Sequence, residues 1–251
     1  MEQKLKAVVL AAGKGTRLQS DDNDGPKVMR IIHGKPMLWY VLQALSFIAK
    51  DNTIIVAGYK KDEVADYFGG YRFAIQTQQL GTGHAVMAAE TELLGFPGNV
   101  LVCCGDMPAM RRDTYQALAA EHFKQGNDCT VLAAQSDMPL SFGRIVRGCD
   151  GVFEQIVEEK DCTPQQREIT ELNSGVYIFR APLLLEALKL LKNDNSQGEY
   201  YLTDVPAILR ARGCKIGIVN RELGDEILGV NTPEQLEQVE RILSTYRETT
   251  E

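Results

Sequence analysis

The chain has 251 residues, of which 44% are hydrophobic and 24% charged, a composition typical of a soluble α/β protein with a sizeable buried core. Its formal net charge of −7 argues against nucleic-acid binding, which needs a clustered basic surface. Since no apolar run is long enough to span a membrane and the N-terminus shows no signal-peptide pattern, we expect a cytoplasmic protein without membrane or nucleic-acid partners.

Six cysteines form no C-x-x-C pair and share no metal-ligand spacing with the three histidines. This predicts free thiols rather than disulfides or zinc ligands.

The first half of the chain alternates short apolar runs with helix-period segments, which predicts repeated βα units and a mostly parallel sheet. Strands are predicted at 7–10, 53–57, 71–75, 99–103 and 129–134. Helices are predicted at 37–48, just after Lys61, at 83–94 and at 113–124.

The pattern changes after Ser141. Strand-like runs at 144–146, 152–157 and 176–179 are separated by turns, which predicts a hairpin and a return strand added to the sheet. Helices follow at 182–191, 203–211 and 233–246, the last with Thr232 as N-cap and Pro233 at its first position.

A glycine-containing loop, LAAGKGTRL at 10–18, follows the first strand. Its glycines allow backbone N–H groups to approach a ligand, and its two charges are positive, so it suits a triphosphate. Leu18 replaces the third glycine of a dinucleotide loop, and Gly15 replaces the Ser or Thr of a Walker A loop. Standing alone, the loop also fits a tight turn with solvated Lys14 and Arg17.

Further motifs follow this loop in the chain. They are GKGTR at 13–17, PK at 26–27, QTQQLGTGHA at 76–85, GD at 105–106, FGRI at 142–145, VEEKD at 157–161, LNSG at 172–175, QGEYYLTD at 197–204 and GVN at 229–231. In this order the motifs resemble the sugar-1-phosphate nucleotidyltransferases, and in particular the uridylyltransferase half of the bifunctional GlmU family. The resemblance covers nearly the whole chain, and QLGTGH and QGEYY are its more specific segments.

The resemblance implies a Rossmann-like three-layer α/β/α nucleotidyltransferase fold with a mixed, mostly parallel sheet. It implies one nucleotidyltransferase domain at 1–231, with a C-terminal helix and tail at 232–251 packed on it. The implied reaction transfers UMP from UTP to N-acetylglucosamine 1-phosphate, with Mg²⁺ as cofactor and pyrophosphate as the second product.

Residue roles carry over from the matching motifs. The implied catalytic cations are Arg17 and Lys27, the nucleotide-binding residues are Leu10, Ala11, Ala12, Gly13, Gln76, Gly81 and Thr82, the metal ligands are Asp106 and Asn231, and the sugar-binding residues are Gly143, Glu158, Asn173, Tyr201 and Thr203. Taken singly, each residue also fits a turn, a cap or a solvated surface position; their joint order favours the functional interpretation. His84 is expected to fix its loop or to cap the following helix rather than to act as a base.

The chemistry agrees with these roles. Asp106 follows a predicted strand, and the carboxyl ends of strands are where open α/β sheets bind ligands. A carboxylate paired with the amide oxygen of Asn231 gives the hard oxygen ligands that Mg²⁺ prefers. Direct attack of the sugar phosphate on UTP needs no protein nucleophile, because alignment and charge neutralisation lower the barrier.

Two features depart from the GlmU pattern. Cys104 stands where that family has a tyrosine before the Gly-Asp pair, which leaves the sugar specificity open. The loop before Pro26 is longer and acidic, with Asp21, Asp22 and Asp24. No hexapeptide repeat follows residue 231, so neither acetyltransferase activity nor the trimer built by that domain is inferred, and the oligomeric state stays open.

Two alternatives remain open. One is a related nucleotidyltransferase that uses glucose 1-phosphate or another sugar phosphate. The other is a non-catalytic protein that binds nucleotide sugars, which would not need a metal pair and a catalytic cation. A nicotinamide-dependent enzyme is disfavoured by the glycine loop.

Overall fold

The computed structural model describes residues 4–18, 25–136 and 141–248. Its strands are β1 Leu5–Ala11, β2 Ile31–Ile32, β3 Lys35–Pro36, β4 Thr53–Ala57, β5 Arg72–Ile75, β6 Asn99–Cys104, β7 Cys129–Gln135, β8 Arg144–Arg147, β9 Phe153–Val157, β10 Glu171–Arg180 and β11 Ile216–Arg221. Its α-helices are α1 Met37–Ala44, α2 Lys61–Tyr67, α3 Thr82–Ala88, α4 Glu90–Leu93, α5 Arg112–Gln125, α6 Pro164–Arg167, α7 Ala181–Leu188, α8 Val205–Ala211 and α9 Pro233–Glu248.

The central sheet has the strand order β11-β7-β10-β6-β1-β4-β5. Neighbouring strands are parallel except at β10, which runs antiparallel to both β6 and β7. The hairpin β8–β9 joins the sheet at the beginning of β10. The prediction of a mixed, mostly parallel sheet is therefore confirmed.

Helices cover both faces of this sheet. On one face, α3, α7 and α8 pack against inward residues such as Val8 and Val102. On the other, α1, α2 and α5 pack against their alternating neighbours, such as Val9 and Leu101. Because side chains alternate between the faces of a strand, the unbroken apolar runs of β1, β4 and β6 are what a sheet buried on both faces requires. The molecule is thus a three-layer α/β/α fold.

Helix α9 packs on a third apolar cluster, outside the two main layers. Val239 and Leu243 of α9 contact residues that include Met37 and Tyr40 at the start of α1. Thr232 accepts a hydrogen bond from the Gln235 amide at 3.3 Å, which confirms Thr232 as the N-cap.

Several elements differ from the sequence prediction. The short elements β2, β3 and α6 were not predicted, and three further differences concern longer elements. Strand β11 was not predicted, because it has a glycine, Gly217, in its interior; a Cβ atom there would lie 2.1 Å from the Asn127 side chain. The return strand is longer than predicted and lies in the middle of the sheet rather than beside it. The helix predicted at 83–94 is divided at Ala89 into α3 and α4.

Among the described residues, no helix combines the length and the apolar character that crossing a bilayer requires.

Candidate functional site

Two cavities meet at one edge of the sheet, where the parallel strands β1, β4, β5 and β6 end. The first, which we call the loop cavity, measures about 260 Å³ and lies beside the glycine loop and α3. The second, the hairpin cavity, measures about 460 Å³ and lies beside the β8–β9 hairpin and the start of β10. Leu10, Thr82, Cys104 and Asp106 line both cavities, so the two form one continuous site.

Most of the predicted site residues line this double cavity. Those of the loop cavity are Leu10, Ala12, Gly13, Lys27, Gln76, Gly81, Thr82 and Asp106. Those of the hairpin cavity are Leu10, Thr82, Asp106, Gly143, Glu158, Asn173, Thr203 and Asn231. The fold therefore brings residues that are far apart in the sequence together at one site, as the resemblance implied.

A larger groove, about 680 Å³, lies at the opposite end of β1, near Lys4 and Leu5. It contains none of the predicted site residues. Since open α/β sheets bind ligands at the carboxyl ends of their strands, we assign the functional site to the double cavity.

Lys27 lies where the two metal-ligand candidates converge. Its ammonium group donates hydrogen bonds to Asp106 Oδ2 and, at 2.9 Å, to Asn231 Oδ1. Arg17 donates to the same Asn231 oxygen at 3.2 Å. Lys27 is only 8% exposed, so its charge acts in a partly desolvated site where electrostatic interactions are stronger than in water.

Backbone contacts hold this arrangement. The Val230 amide donates to the Asp106 carbonyl oxygen at 2.9 Å, which fixes the segment containing Asn231 against the end of β6. Gly15 has a φ of 72°, and a Cβ atom there would lie 2.7 Å from the Lys27 Cβ atom. Glycine is therefore required at this position for the loop to close over Lys27.

The donor set fits a magnesium ion. Asp106 offers a carboxylate oxygen and Asn231 an amide oxygen, and both lie within reach of one cation because both contact the Lys27 ammonium. Among the described residues, no group of three or more His, Cys, Asp or Glu could hold a metal. Two protein oxygens, completed by water and phosphate oxygens, match the coordination that Mg²⁺ adopts.

The loop preceding α3 is held from both sides. The Gln76 side chain is buried; its amide nitrogen donates to the Gly81 carbonyl oxygen at 3.1 Å and lies 3.1 Å from His84 Nδ1. The Leu202 amide donates to Thr82 Oγ1 at 3.0 Å. The contact between Gln76 and His84 agrees with the expectation that His84 helps to hold this loop. The loop is thus rigidly attached to the segment that follows residue 198.

The hairpin cavity is lined by hydrogen-bonded polar groups. Thr203 donates to Glu158 Oε1 at 3.0 Å, and the Asn173 amide donates to the Gly143 carbonyl oxygen at 2.9 Å. Burial raises the pKa of the Glu158 carboxyl. Gly143 is small by necessity, since a Cβ atom would lie 3.0 Å from an Ile156 methyl group. The cavity therefore offers oxygen and amide groups suited to the hydroxyl groups of a sugar.

Three predicted residues are not among those that line the double cavity. Arg17 is connected to it through its hydrogen bond to Asn231 Oδ1. Ala11 is buried in the core on the other face of β1. Tyr201 lines a separate cavity of about 360 Å³, where its hydroxyl donates to Asp161 Oδ2 at 3.1 Å and accepts from Gln197 at 2.8 Å. Glu158 lines this cavity and the hairpin cavity, so Tyr201 lies behind Glu158 rather than beside it.

Cys104 is the thiol at the junction of the two cavities. Burial, and then the nearby Asp106 carboxylate, raise the pKa of this thiol well above its ordinary value. Burial raises the pKa of the neighbouring Cys103 to about 12. All six cysteines are free, as predicted, and the raised pKa of Cys104 favours its neutral thiol form, which is a poor nucleophile.

Gln235 and Tyr177 are among the lining residues that sequence reasoning did not single out. Gln235 accepts hydrogen bonds from the Asn231 and Thr232 amides at 2.7 and 3.1 Å, and it lies three residues after the N-cap, which is a recognisable capping-box spacing. Tyr177 lines the hairpin cavity from β10, and its apolar strand context gave no signal. The acidic residues Asp21, Asp22 and Asp24 lie outside the described residues.

Comparison with curated proteins gives relatives of one kind. The bifunctional protein GlmU of Geobacillus thermodenitrificans is 41% identical over 244 residues, covering 96% of this chain and 52% of that protein. GlmU of Syntrophotalea carbinolica is 43% identical over 242 residues, covering 96% and 51%. GlmU of Streptococcus suis is 42% identical over 238 residues, covering 94% and 51%. The resemblance inferred from the motifs is confirmed, and the chain spans about half the length of these relatives.

Comparison with solved structures supports the same fold. A crystal structure from Bacillus anthracis, described as a glucose-1-phosphate thymidylyltransferase in complex with a sucrose, has a TM-score of 0.71 and covers 95% of each chain at 19% identity. The family described as MobA-like NTP transferase domain matches residues 7–202, which include the glycine loop, Lys27, Asp106 and the β8–β9 hairpin. This chain therefore belongs to the MobA-like NTP transferase domain family of nucleotidyltransferases.

Proposed function

We propose that this nucleotidyltransferase transfers UMP from UTP to N-acetylglucosamine 1-phosphate, forming UDP-N-acetylglucosamine and pyrophosphate. The observation that carries the proposal is the position of Lys27, which contacts Asp106 and Asn231 where the two cavities meet. Identity of 41–43% with GlmU proteins over nearly the whole chain supports this activity. Because the chain spans only half of those bifunctional proteins, we propose no second activity.

The loop cavity suits the nucleotide. Residues of the glycine loop line this cavity together with Lys27, Gln76 and Gly81. The Gln76 amide nitrogen is already donating to Gly81, so its oxygen remains to accept a hydrogen bond from the N–H group of a uracil ring. Gly81 itself packs against the Tyr200 backbone, which holds this loop at the wall of the cavity.

The hairpin cavity suits the sugar phosphate. Glu158, Asn173 and Thr203 present acceptor and donor groups around it, and its volume of about 460 Å³ is adequate for a hexose derivative. The two cavities share Asp106, so the phosphate of the sugar and the α-phosphate of the nucleotide would meet beside Lys27.

Asp106 and Asn231 would hold Mg²⁺ through their side-chain oxygens. When bound, the ion neutralises negative charge on phosphate oxygens and orients them.

The chain's own residues supply alignment and further positive charge. A phosphate oxygen of the sugar 1-phosphate forms a bond to the α-phosphorus of UTP, and the bond from that phosphorus to the β-phosphate oxygen breaks. Lys27 and Arg17 stabilise the charge on the oxygens of the transferred group, and Lys27 does so from a partly desolvated position. The substrate phosphate is already ionised at neutral pH, so no general base is needed.

The test is pyrophosphate release by the purified protein with Mg²⁺ and UTP, comparing N-acetylglucosamine 1-phosphate with glucose 1-phosphate. We expect faster release with the amino sugar, and loss of release in Asp106→Ala and Lys27→Ala. Lys124→Ala, a lysine whose side chain is 74% exposed, is the matched control and should retain full activity.

Two results would overturn the proposal. Preference for glucose 1-phosphate would mean that Cys104, in place of a tyrosine, has changed the sugar pocket. No release with any sugar phosphate, together with tight binding of UDP-sugars, would indicate a binding protein rather than an enzyme.

A further inference from the structure

Tyr177 is a polar residue of the hairpin cavity to which the proposed reaction assigns no role. It belongs to β10 and is only 2% exposed, yet it lines the cavity together with Glu158 and Cys104. Its ring packs into the core, stacked on Phe179 with 5.5 Å between ring centroids. The ring is thus anchored in the core, and its hydroxyl contacts Asn173, which lines the same cavity.

The hydroxyl of Tyr177 has an unused proton. Its oxygen accepts a hydrogen bond from Asn173 Nδ2 at 2.7 Å, while Asn173 Oδ1 accepts from the Gly175 amide at 3.3 Å. A phenol can accept and also donate, and no acceptor for the Tyr177 proton is found within the part of the chain that the structure describes. A buried tyrosine normally pairs its O–H group, so this donor is left for a ligand.

The surroundings keep this donor available. Burial raises the pKa of Tyr177 well above its ordinary value, so the hydroxyl keeps its proton. Two small residues, Cys104 and Gly175, line the same cavity as Tyr177, and a Cβ atom on Gly175 would lie 3.6 Å from Cys104 Sγ. Glu158, whose Oε1 accepts from Thr203, offers an acceptor in the same cavity.

A donor and an acceptor that line one cavity match an amide group. An amide presents a carbonyl oxygen that accepts and an N–H group that donates, on separate atoms. A hydroxyl group can also accept and donate, but it does both through one oxygen, whereas an amide does so through two different atoms.

We propose that Tyr177 is a specificity-determining residue that donates a hydrogen bond to the acetamido carbonyl oxygen of the acceptor sugar, with Glu158 as the acceptor for the acetamido N–H. This inference rests on the proposed function. A site built to pair a polar group discriminates against a substrate that lacks it, because the buried partner is then left unpaired.

The test compares Tyr177→Phe with the wild type at saturating UTP. The ratio of kcat/KM for N-acetylglucosamine 1-phosphate to that for glucose 1-phosphate should fall about tenfold, as expected for one hydrogen bond. The change should appear in KM for the amino sugar, with KM for UTP unchanged. An equal loss for both sugars, or an unchanged ratio, would overturn the proposal.

Tyr40→Phe is the matched control. Tyr40 is also buried, and its hydroxyl donates to the Ile32 carbonyl oxygen at 2.8 Å, outside both cavities. Tyr40→Phe removes a buried tyrosine hydrogen bond but should leave the sugar ratio unchanged.

Tyr177 could affect sugar specificity only by orienting Asn173, and this indirect effect has to be distinguished from a direct hydrogen bond between Tyr177 and the sugar. In an Asn173→Ala background, Tyr177→Phe should still weaken discrimination between the two sugars. If it has no further effect there, Tyr177 only orients Asn173 and the proposal is wrong.

Binding measurements separate this inference from the proposed function. By calorimetry, Tyr177→Phe should bind UDP-N-acetylglucosamine about tenfold more weakly than the wild type and UDP equally well. Wild-type protein that releases no pyrophosphate would contradict the reaction, and the same calorimetric difference would still support Tyr177 as the acetamido donor.

Discussion

Lys27 contacts the same two oxygens that we propose for Mg²⁺. Its ammonium and a divalent ion cannot both lie against Asp106 and Asn231 without strong repulsion. Removing the ammonium therefore removes a competitor for these oxygens. We expect Lys27→Met to bind Mn²⁺ about tenfold more tightly than the wild type in the absence of nucleotide, measured by electron paramagnetic resonance.

Arg17→Met is the control for general loss of positive charge. Arg17 contacts Asn231 but has no contact with Asp106 among the described residues, so its removal should have a smaller effect. Equal or weaker Mn²⁺ binding by Lys27→Met would contradict this account of the site.

Glu158 should make stability depend on pH. Burial raises the pKa of its carboxyl, so the folded state holds that proton more tightly than the unfolded state. The stabilising contribution is complete below the ordinary glutamate pKa of about 4.3 and is lost as pH rises through the folded-state value. Glu158→Gln keeps an acceptor for Thr203, so it should melt at a higher temperature than the wild type at about pH 8 and equally at about pH 4. A lower melting temperature at the higher pH would contradict this prediction.

The identity of the site residues could be predicted from sequence, but the direction of their side chains could not. Lys27, Asp106 and Asn231 were recognised by their motifs. Tyr201 belongs to an equally specific motif, yet its hydroxyl turns toward Asp161. In the sequence, Tyr177 resembles an ordinary core residue of a strand. An apolar pattern predicts that its ring is buried, but it does not predict which cavity its hydroxyl group lies near.

At the scale of elements, the attachment of the α3 loop to the segment after residue 198 depends on Gly81. This glycine has a φ of 105°, and a Cβ atom there would lie 2.6 Å from the Tyr200 carbonyl oxygen. Gly81→Ala should therefore strain the backbone by about 1–3 kcal/mol and push the two segments apart. We expect a lower melting temperature and weaker UTP binding by calorimetry.

Gly69→Ala provides the comparison for this prediction. Gly69 has an ordinary φ, and no atom lies within 4 Å of a Cβ atom added there. Its substitution should change neither property, and equal behaviour of the two variants would show that the clash at Gly81 is relieved at little cost.

Strands with continuous apolar runs were predictable as elements because both faces of the sheet are buried. β11 was not, because its interior glycine accommodates Asn127, a contact between segments distant in sequence. The central place of β10 also escaped prediction. Tertiary packing determines which strands pair with β10, whereas the sequence of β10 predicts only that it forms a strand.

At the scale of the whole molecule, α9 stabilises the site by packing beside it. Among the described residues of α9, Gln235 is the one that lines the double cavity. Leu243 is buried against the cluster that includes Val230, next to Asn231. Leu243→Ala should lower the free energy of unfolding by about 2–4 kcal/mol, measured by urea denaturation. Gln238→Ala, an exposed position of the same helix, should change it by less than about 0.5 kcal/mol. Similar losses in both variants would mean that α9 does not depend on this packing.

The position of β10 also has a consequence for synthesis on the ribosome. β6 and β7 emerge from the exit tunnel before β10, yet each must pair with β10 in the finished sheet. Until β10 is released, the nascent chain has its parallel strands ending in an open edge at β6, and such edges are prone to pair with other chains. The sheet is therefore completed late, when β10 inserts between β6 and β7, which have already been synthesised. A chaperone that shields β6 during this interval would favour productive folding.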